Sequence, residues 1–142
     1  MKNVTIDFDG TLQRPDVQEF VKALMLRPDV AVYVLTARFD ELHKQKWIDS
    51  PTNQNLYAVT DKLGISRDKI RFQNFRPKYE YLHGANVAVH LDDCDVEIEG
   101  INLNTNVPCV DVKNELWEAK MMEQIDKPLS IQVPAVSGEI IL

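Results

Sequence analysis

The sequence predicts one α/β domain, a parallel sheet of about five strands wound with helices on both faces. Three observations lead there. Short apolar runs rich in β-branched residues alternate with helical stretches along the 142-residue chain, and no segment repeats another. The runs near Val4, Val32 and Val87 each end in polar residues, as strands do when their ends form a site. With 44% hydrophobic and 27% charged residues, the chain can bury one real core but hardly two. The domain is therefore assigned to residues 1–127, and residues 128–142 to a C-terminal extension.

The first strand is expected near residues 2–8, where Val4, Thr5, Ile6 and Phe8 suit a strand interior and Gly10 with Thr11 suits a tight turn. A helix near 16–26 leads to a second strand near 30–35, within the run Val32-Tyr33-Val34-Leu35. Helices near 40–48 and 53–63 precede a strand near 69–73. Pro77 fits the first turn of a helix over 77–83, and Gly84 fits its end. The next strand, near 86–91, ends in paired acids. Asp95 and Glu97 then open a helix over 95–102, where the dipole favours acids. After a strand near 107–112, Asn114 is a plausible cap for a helix over 114–126, with Leu116, Trp117, Ala119, Met121, Met122 and Ile125 as its buried face.

A formal charge of -6 argues against broad nucleic-acid coating. No apolar run reaches the length of a membrane span, and acids stand where a secretion signal would be apolar, so no membrane partner and a cytoplasmic location are expected. Cys94 and Cys109 lack metal-site spacing and read as reduced thiols, with Cys94 beside the paired acids. His43, His83 and His90 form no cluster and read as structural.

The chemistry gathers at strand ends. Asp7-Phe8-Asp9-Gly10-Thr11 closes the first strand with two carboxylates one residue apart. Thr36-Ala37-Arg38 closes the second with a hydroxyl, a following backbone N–H and a cation, donors suited to a phosphoryl oxygen. Asp92-Asp93 closes the strand near 86–91, and because adjacent carboxylates repel, a hard divalent cation is their natural partner. Lys78 stands at a helix start just before that strand, with Arg76 as the alternative basic residue.

In this order the four segments resemble the motifs of the haloacid dehalogenase (HAD)-like phosphatases, across residues 7 to 93, about two-thirds of the chain. The resemblance implies a Rossmann-like doubly wound sheet and a magnesium-dependent phosphomonoester hydrolase working through an aspartyl-phosphate. It makes Asp7 the nucleophile, Asp9 the general acid and base, and Thr36 and Lys78 the phosphoryl-charge stabilisers. Asp93 becomes the direct Mg2+ ligand with Asp7 and the backbone carbonyl of Asp9, while Asp92 supports the shell. Gly10, Thr11, Ala37, Arg38 and Arg76 then lie on the substrate side. A phospho-acceptor receiver domain would carry its acids, Thr and Lys in a different order.

The intervals between motifs leave no room for a full cap domain, although residues 39–55 could form a small lid. Arg67, Lys69, Arg71, Arg76 and Lys78, interleaved with Phe72, Phe75 and Tyr79, suggest a nucleotide or a polynucleotide end as the phosphorylated substrate, against the plainer reading of a solvated edge. The tail, ending Glu139-Ile140-Ile141-Leu142, is expected to pack on this chain, on a copy of it, or on a partner. The alternative to an enzyme is a binding or structural subunit that keeps this fold within a larger assembly.

Overall fold

The structure, a computed structural model, describes residues 1–44 and 53–128. Strands β1 (Lys2–Ile6), β2 (Val30–Thr36), β3 (Ile70–Phe72), β4 (Val89–Asp92) and β5 (Cys109–Asp111) pair in parallel throughout, in the order β3-β2-β1-β4-β5. Helices α1 (Pro15–Leu24), α2 (Glu41–Lys44), α3 (Gln54–Leu63), α4 (Tyr79–Leu82), α5 (Asp95–Asn104) and α6 (Trp117–Ile125) fill the connections. This is the doubly wound, Rossmann-like architecture that the alternation predicted. No helix among the described residues is long and apolar enough to cross a membrane.

Strand alternation divides the core in two, since successive side chains point to opposite faces. Val4, Ile6, Val32, Val34, Val89, Leu91 and Val110 meet one apolar layer, made by Val17, Phe20 and Val21 of α1, Leu56 of α3, and Trp117, Met121 and Ile125 of α6. Phe20 and Trp117 meet edge to face with ring centroids 5.1 Å apart. On the other face Leu35 packs with Leu82 of α4, Ile101 of α5 and Val107. That second face also buries two polar side chains, Thr5 and His90, which are register partners on β1 and β4.

Some boundaries differ from the sequence reading, each for a local reason. Asn114 does not cap α6. Its backbone N–H donates to the Asp111 carbonyl (3.0 Å), and its Oδ1 accepts the N–H of Leu116 (2.8 Å) in a turn that delays the helix to Trp117. Helix α4 is a single turn with Pro77 outside it, and the left-handed φ of 77° at Gly84 follows its end. In the predicted helix over 40–48, residues 45–48 lie outside the described residues, as do residues 129–142 of the tail and residues 45–52 of the candidate lid.

The topology determines where a ligand can sit. From β1 the chain steps outward to β2 and β3, then returns to the other side of β1 to form β4 and β5. The connections therefore diverge between the carboxyl ends of β1 and β4, the switch point at which open α/β sheets form a crevice.

Candidate active site

The register of β1 on β4 pairs Ile6 with Leu91, so the residues that follow, Asp7 and Asp92, emerge together at the switch point. A backbone bond from Asp7 N–H to the Leu91 carbonyl (2.9 Å) holds the two ends side by side. Lys78 reaches the same point from just before α4. Its buried Nζ donates to Asp7 Oδ1 at 2.5 Å and to Asp92 Oδ2 at 2.7 Å.

The turn over Phe8–Leu12 returns the chain across this site, and Thr11 Oγ1 donates to Asp7 Oδ2 at 3.0 Å with a longer 3.4 Å approach to Asp93 Oδ1. Gly10 takes a φ of 77° there, and a Cβ on it would lie 2.2 Å from Asp93 Oδ2. Only glycine meets both conditions, because the left-handed backbone disfavours other residues and the carboxylate fills the space a side chain would need.

The Asp92 carboxylate is saturated. Oδ2 accepts from Lys78 Nζ and, at 2.7 Å, from His90 Nε2, while Oδ1 accepts the backbone N–H groups of Asp93 (2.9 Å) and Cys94 (3.1 Å). A carboxylate offers about four acceptor positions, so none remains for a metal. Burial works against its charge, but His90 and Lys78 hold the Asp92 carboxyl well below the usual range. Behind it His90 Nδ1 lies 2.7 Å from Thr5 Oγ1, and burial pushes the imidazole below its ordinary pKa. A neutral ring donating from Nε2 to Asp92 and accepting at Nδ1 from the Thr5 hydroxyl satisfies both bonds.

Asp7 is in a different position. Burial pushes its carboxyl up, to about 8, against the pull of Lys78 and with the help of the Asp92 charge. Lys78 itself would be lowered by burial, but the two carboxylates outweigh that and hold it as an ammonium.

Asp7, Asp92 and Asp93 each have an oxygen within 4.8 Å of the others, and Lys78, the ammonium paired with Asp7 and Asp92, cannot balance all three when they are ionised. Such a site fits a hard divalent cation. Asp7 and Asp93 would hold it, with Asp92 organising Lys78 behind them.

The second strand end lies alongside. Thr36 is fully buried at the end of β2, and its Oγ1 accepts the backbone N–H of Arg38 (3.2 Å). The Arg38 guanidinium grips Asp9 through two bonds of 2.9 and 2.7 Å, donates to Asn55 Oδ1 (2.8 Å), and stacks 5.0 Å from the centroid of the Phe8 ring. The Asp9 side chain thus pairs with Arg38, while Asp7, Asp92 and Lys78 form the buried cluster and Asp93 stands half-buried beside it.

Arg76 pairs instead with Glu80, at 2.5 Å, on a largely exposed surface. The remaining basic residues of the 67–78 segment also have partners. Arg67 bonds Asp61 (2.9 Å) over the Tyr57 ring, and Lys69 and Arg71 stand over Tyr33 at 5.5 and 5.3 Å. Phe72 and Tyr79 pack against the two cores. The segment is therefore distributed over several contacts and forms no single basic-aromatic face.

Cys94 and Cys109 are free thiols, and burial pushes that of Cys109 up to about 12. The Thr5–His90 pair was missed from the sequence. The one signal for it was a polar residue in the middle of each of two apolar strands.

No family model, curated protein or solved structure matches the chain. The chemistry of the site is therefore taken from its own residues.

Proposed function

We propose that this protein is a magnesium-dependent phosphomonoester hydrolase of the HAD-like type, acting through an aspartyl-phosphate on Asp7. The observation that carries the reading is the pair Asp7 and Asp93 at the switch point, under-compensated by the one cation that Asp7 shares with Asp92. When bound there, magnesium would supply positive charge to the transferring phosphoryl oxygens.

The chain's residues divide the remaining work. An Asp7 oxygen attacks phosphorus, forming the O–P bond as the bond to the leaving oxygen breaks. Asp9, released from Arg38 and protonated from solvent, gives that proton to the leaving oxygen, then takes one from the water whose attack on phosphorus breaks the bond to Asp7. For this it must leave Arg38, which holds it through two bonds from a largely buried guanidinium. Lys78 and the Thr36 hydroxyl meet the charge on the phosphoryl oxygens, and losing one such fixed donor costs about 10²–10³ in rate.

The test is phosphate release from a panel of phosphomonoesters with magnesium and with EDTA, by the wild-type protein and by Asp7→Asn. Magnesium-dependent release that Asp7→Asn abolishes is the expected result. Magnesium binding without release from any ester would instead favour a non-enzymatic subunit that keeps the site as a scaffold.

A further inference from the structure

The loop after β3 contains a feature that its packing does not account for. Asn74 and Phe75 both take left-handed backbone conformations, with φ of 54° and 63°. Asparagine tolerates that region, whereas a bulky aromatic residue there is a steric outlier. The Phe75 side chain is also 69% exposed. A turn alone would be better served by glycine, which has neither the strain nor the exposed apolar surface. Strain of this kind persists where the surroundings impose it, and it concentrates at ligand sites.

The surroundings do impose it. Backbone N–H groups of Gln73, Asn74 and Phe75 donate to the carbonyls of Thr36 (2.8 Å), Arg38 (3.1 Å) and Ala37 (2.7 Å). Asn74 Oδ1 accepts the Asp40 N–H at 2.9 Å. The backbone that carries Phe75 is thereby fixed beside the Thr36–Arg38 segment, at the carboxyl edge of the sheet, and its ring lies 4.8 Å from the Phe39 ring. Thr36 is the hydroxyl assigned to the phosphoryl group, so the loop that presents the exposed Phe75 adjoins that site.

We propose that Phe75 is the stacking platform of a leaving-group site, and that the ester taken there is a nucleoside monophosphate whose base lies on that ring. This rests on the phosphoryl site proposed above. A planar base presents a face that any aromatic ring can stack on. A mononucleotide fits better than a polynucleotide because Arg67, Lys69 and Arg71, the cations a phosphate backbone would need, are held by Asp61, Tyr57 and Tyr33.

The experiment is calorimetric titration of the full chain with magnesium and two probes, a non-hydrolysable phosphonate analogue of AMP and methylphosphonate. Wild type and Phe75→Trp should prefer the AMP analogue by about 5- to 100-fold, the range that stacking on one aromatic side chain supplies. In Phe75→Gly that preference should fall to about twofold or less, while the melting temperature holds or rises as the left-handed strain is relieved.

No preference in wild type, a preference that survives in Phe75→Gly, or a clear drop in melting temperature would each overturn the proposal. The last of these would make the ring a packing residue against Phe39. Base-dependent binding without release of phosphate from AMP would keep this site and remove the hydrolase. Hydrolysis of sugar phosphates with no preference for the AMP analogue would do the reverse.

Discussion

Replacing Asp7 by Asn should stabilise the metal-free protein at pH 8, although it removes the proposed nucleophile. Asp7 is 5% exposed and shares its one cation with Asp92, whose carboxylate accepts three further hydrogen bonds. Its carboxyl is raised from 3.8 to about 8. The fold therefore favours the neutral form, and this contribution to stability is fully present below about pH 4 and is lost as pH rises toward 8.

At about 1.4 kcal/mol per unit, the rise sets a ceiling of about 5–6 kcal/mol. Relaxation and water entry around the ionised group should leave about 2–3 kcal/mol of it. For a chain of this size that is roughly 6–10 °C in melting temperature. Asparagine keeps the oxygen that Lys78 meets and carries no charge to bury.

Thermal melts of both proteins in EDTA at pH 5 and pH 8 isolate the effect, because Asp92, held low, and Lys78, held high, stay ionised across that range. The gap should be wide at pH 8 and shrink to under about half at pH 5. Saturating magnesium should then narrow or reverse it, since a ligand at 100 times its Kd adds about 2.7 kcal/mol to the protein that binds it. A variant less stable than wild type at pH 8, or a gap equal at both pH values, would show that Lys78 fully compensates an ionised Asp7 and would refute the charge argument.

Three further outcomes follow from the same geometry. Lys78→Met strands two buried carboxylates and should cost about 3–5 kcal/mol in urea denaturation, with part of the loss restored by adding Asp7→Asn. Asp93→Asn should leave metal-free stability within about 0.5 kcal/mol, because the side chain is only half-buried, yet remove most of the stabilisation seen on titrating magnesium. Gly10→Ala should destabilise by about 1–3 kcal/mol and weaken the magnesium response as well, since its Cβ displaces the Asp93 carboxylate. A magnesium response equal to wild type in that variant would mean Asp93 has room to move.

The strands were legible because β-branched runs such as Val30 to Thr36 have few alternatives, and their polar ends marked the edge where the site forms. Helix starts were less legible where side chains compete for the backbone, as Asn114 does in the turn before α6. The basic-aromatic stretch was harder to read for another reason. Sequence proximity cannot tell which face a residue takes, and Arg67, Arg71 and Phe72 turn toward Tyr57 and Tyr33, residues distant in the chain. The Asp9–Arg38 clasp was equally hidden, although both residues had been assigned to the site, because nothing in either motif says that one grips the other.

His90 shows why motif reading alone finds a site's reacting groups and misses what holds them. Its role depends on a pairing with Thr5 across 85 positions, which exists only because β1 and β4 align in one register. A slip of one residue would turn His90 to the opposite face, away from both Thr5 and Asp92. In the observed register each of the three polar groups is fully or almost fully buried, and each has a partner. The Thr5 hydroxyl fixes the imidazole tautomer, the imidazole fills an Asp92 lone pair, and Asp92 holds Lys78 beside Asp7. Because Asp92 is filled in this way, the unbalanced charge falls on Asp7 and Asp93. A pair of adjacent acids, equivalent in the sequence, thereby becomes one structural carboxylate and one open to a cation.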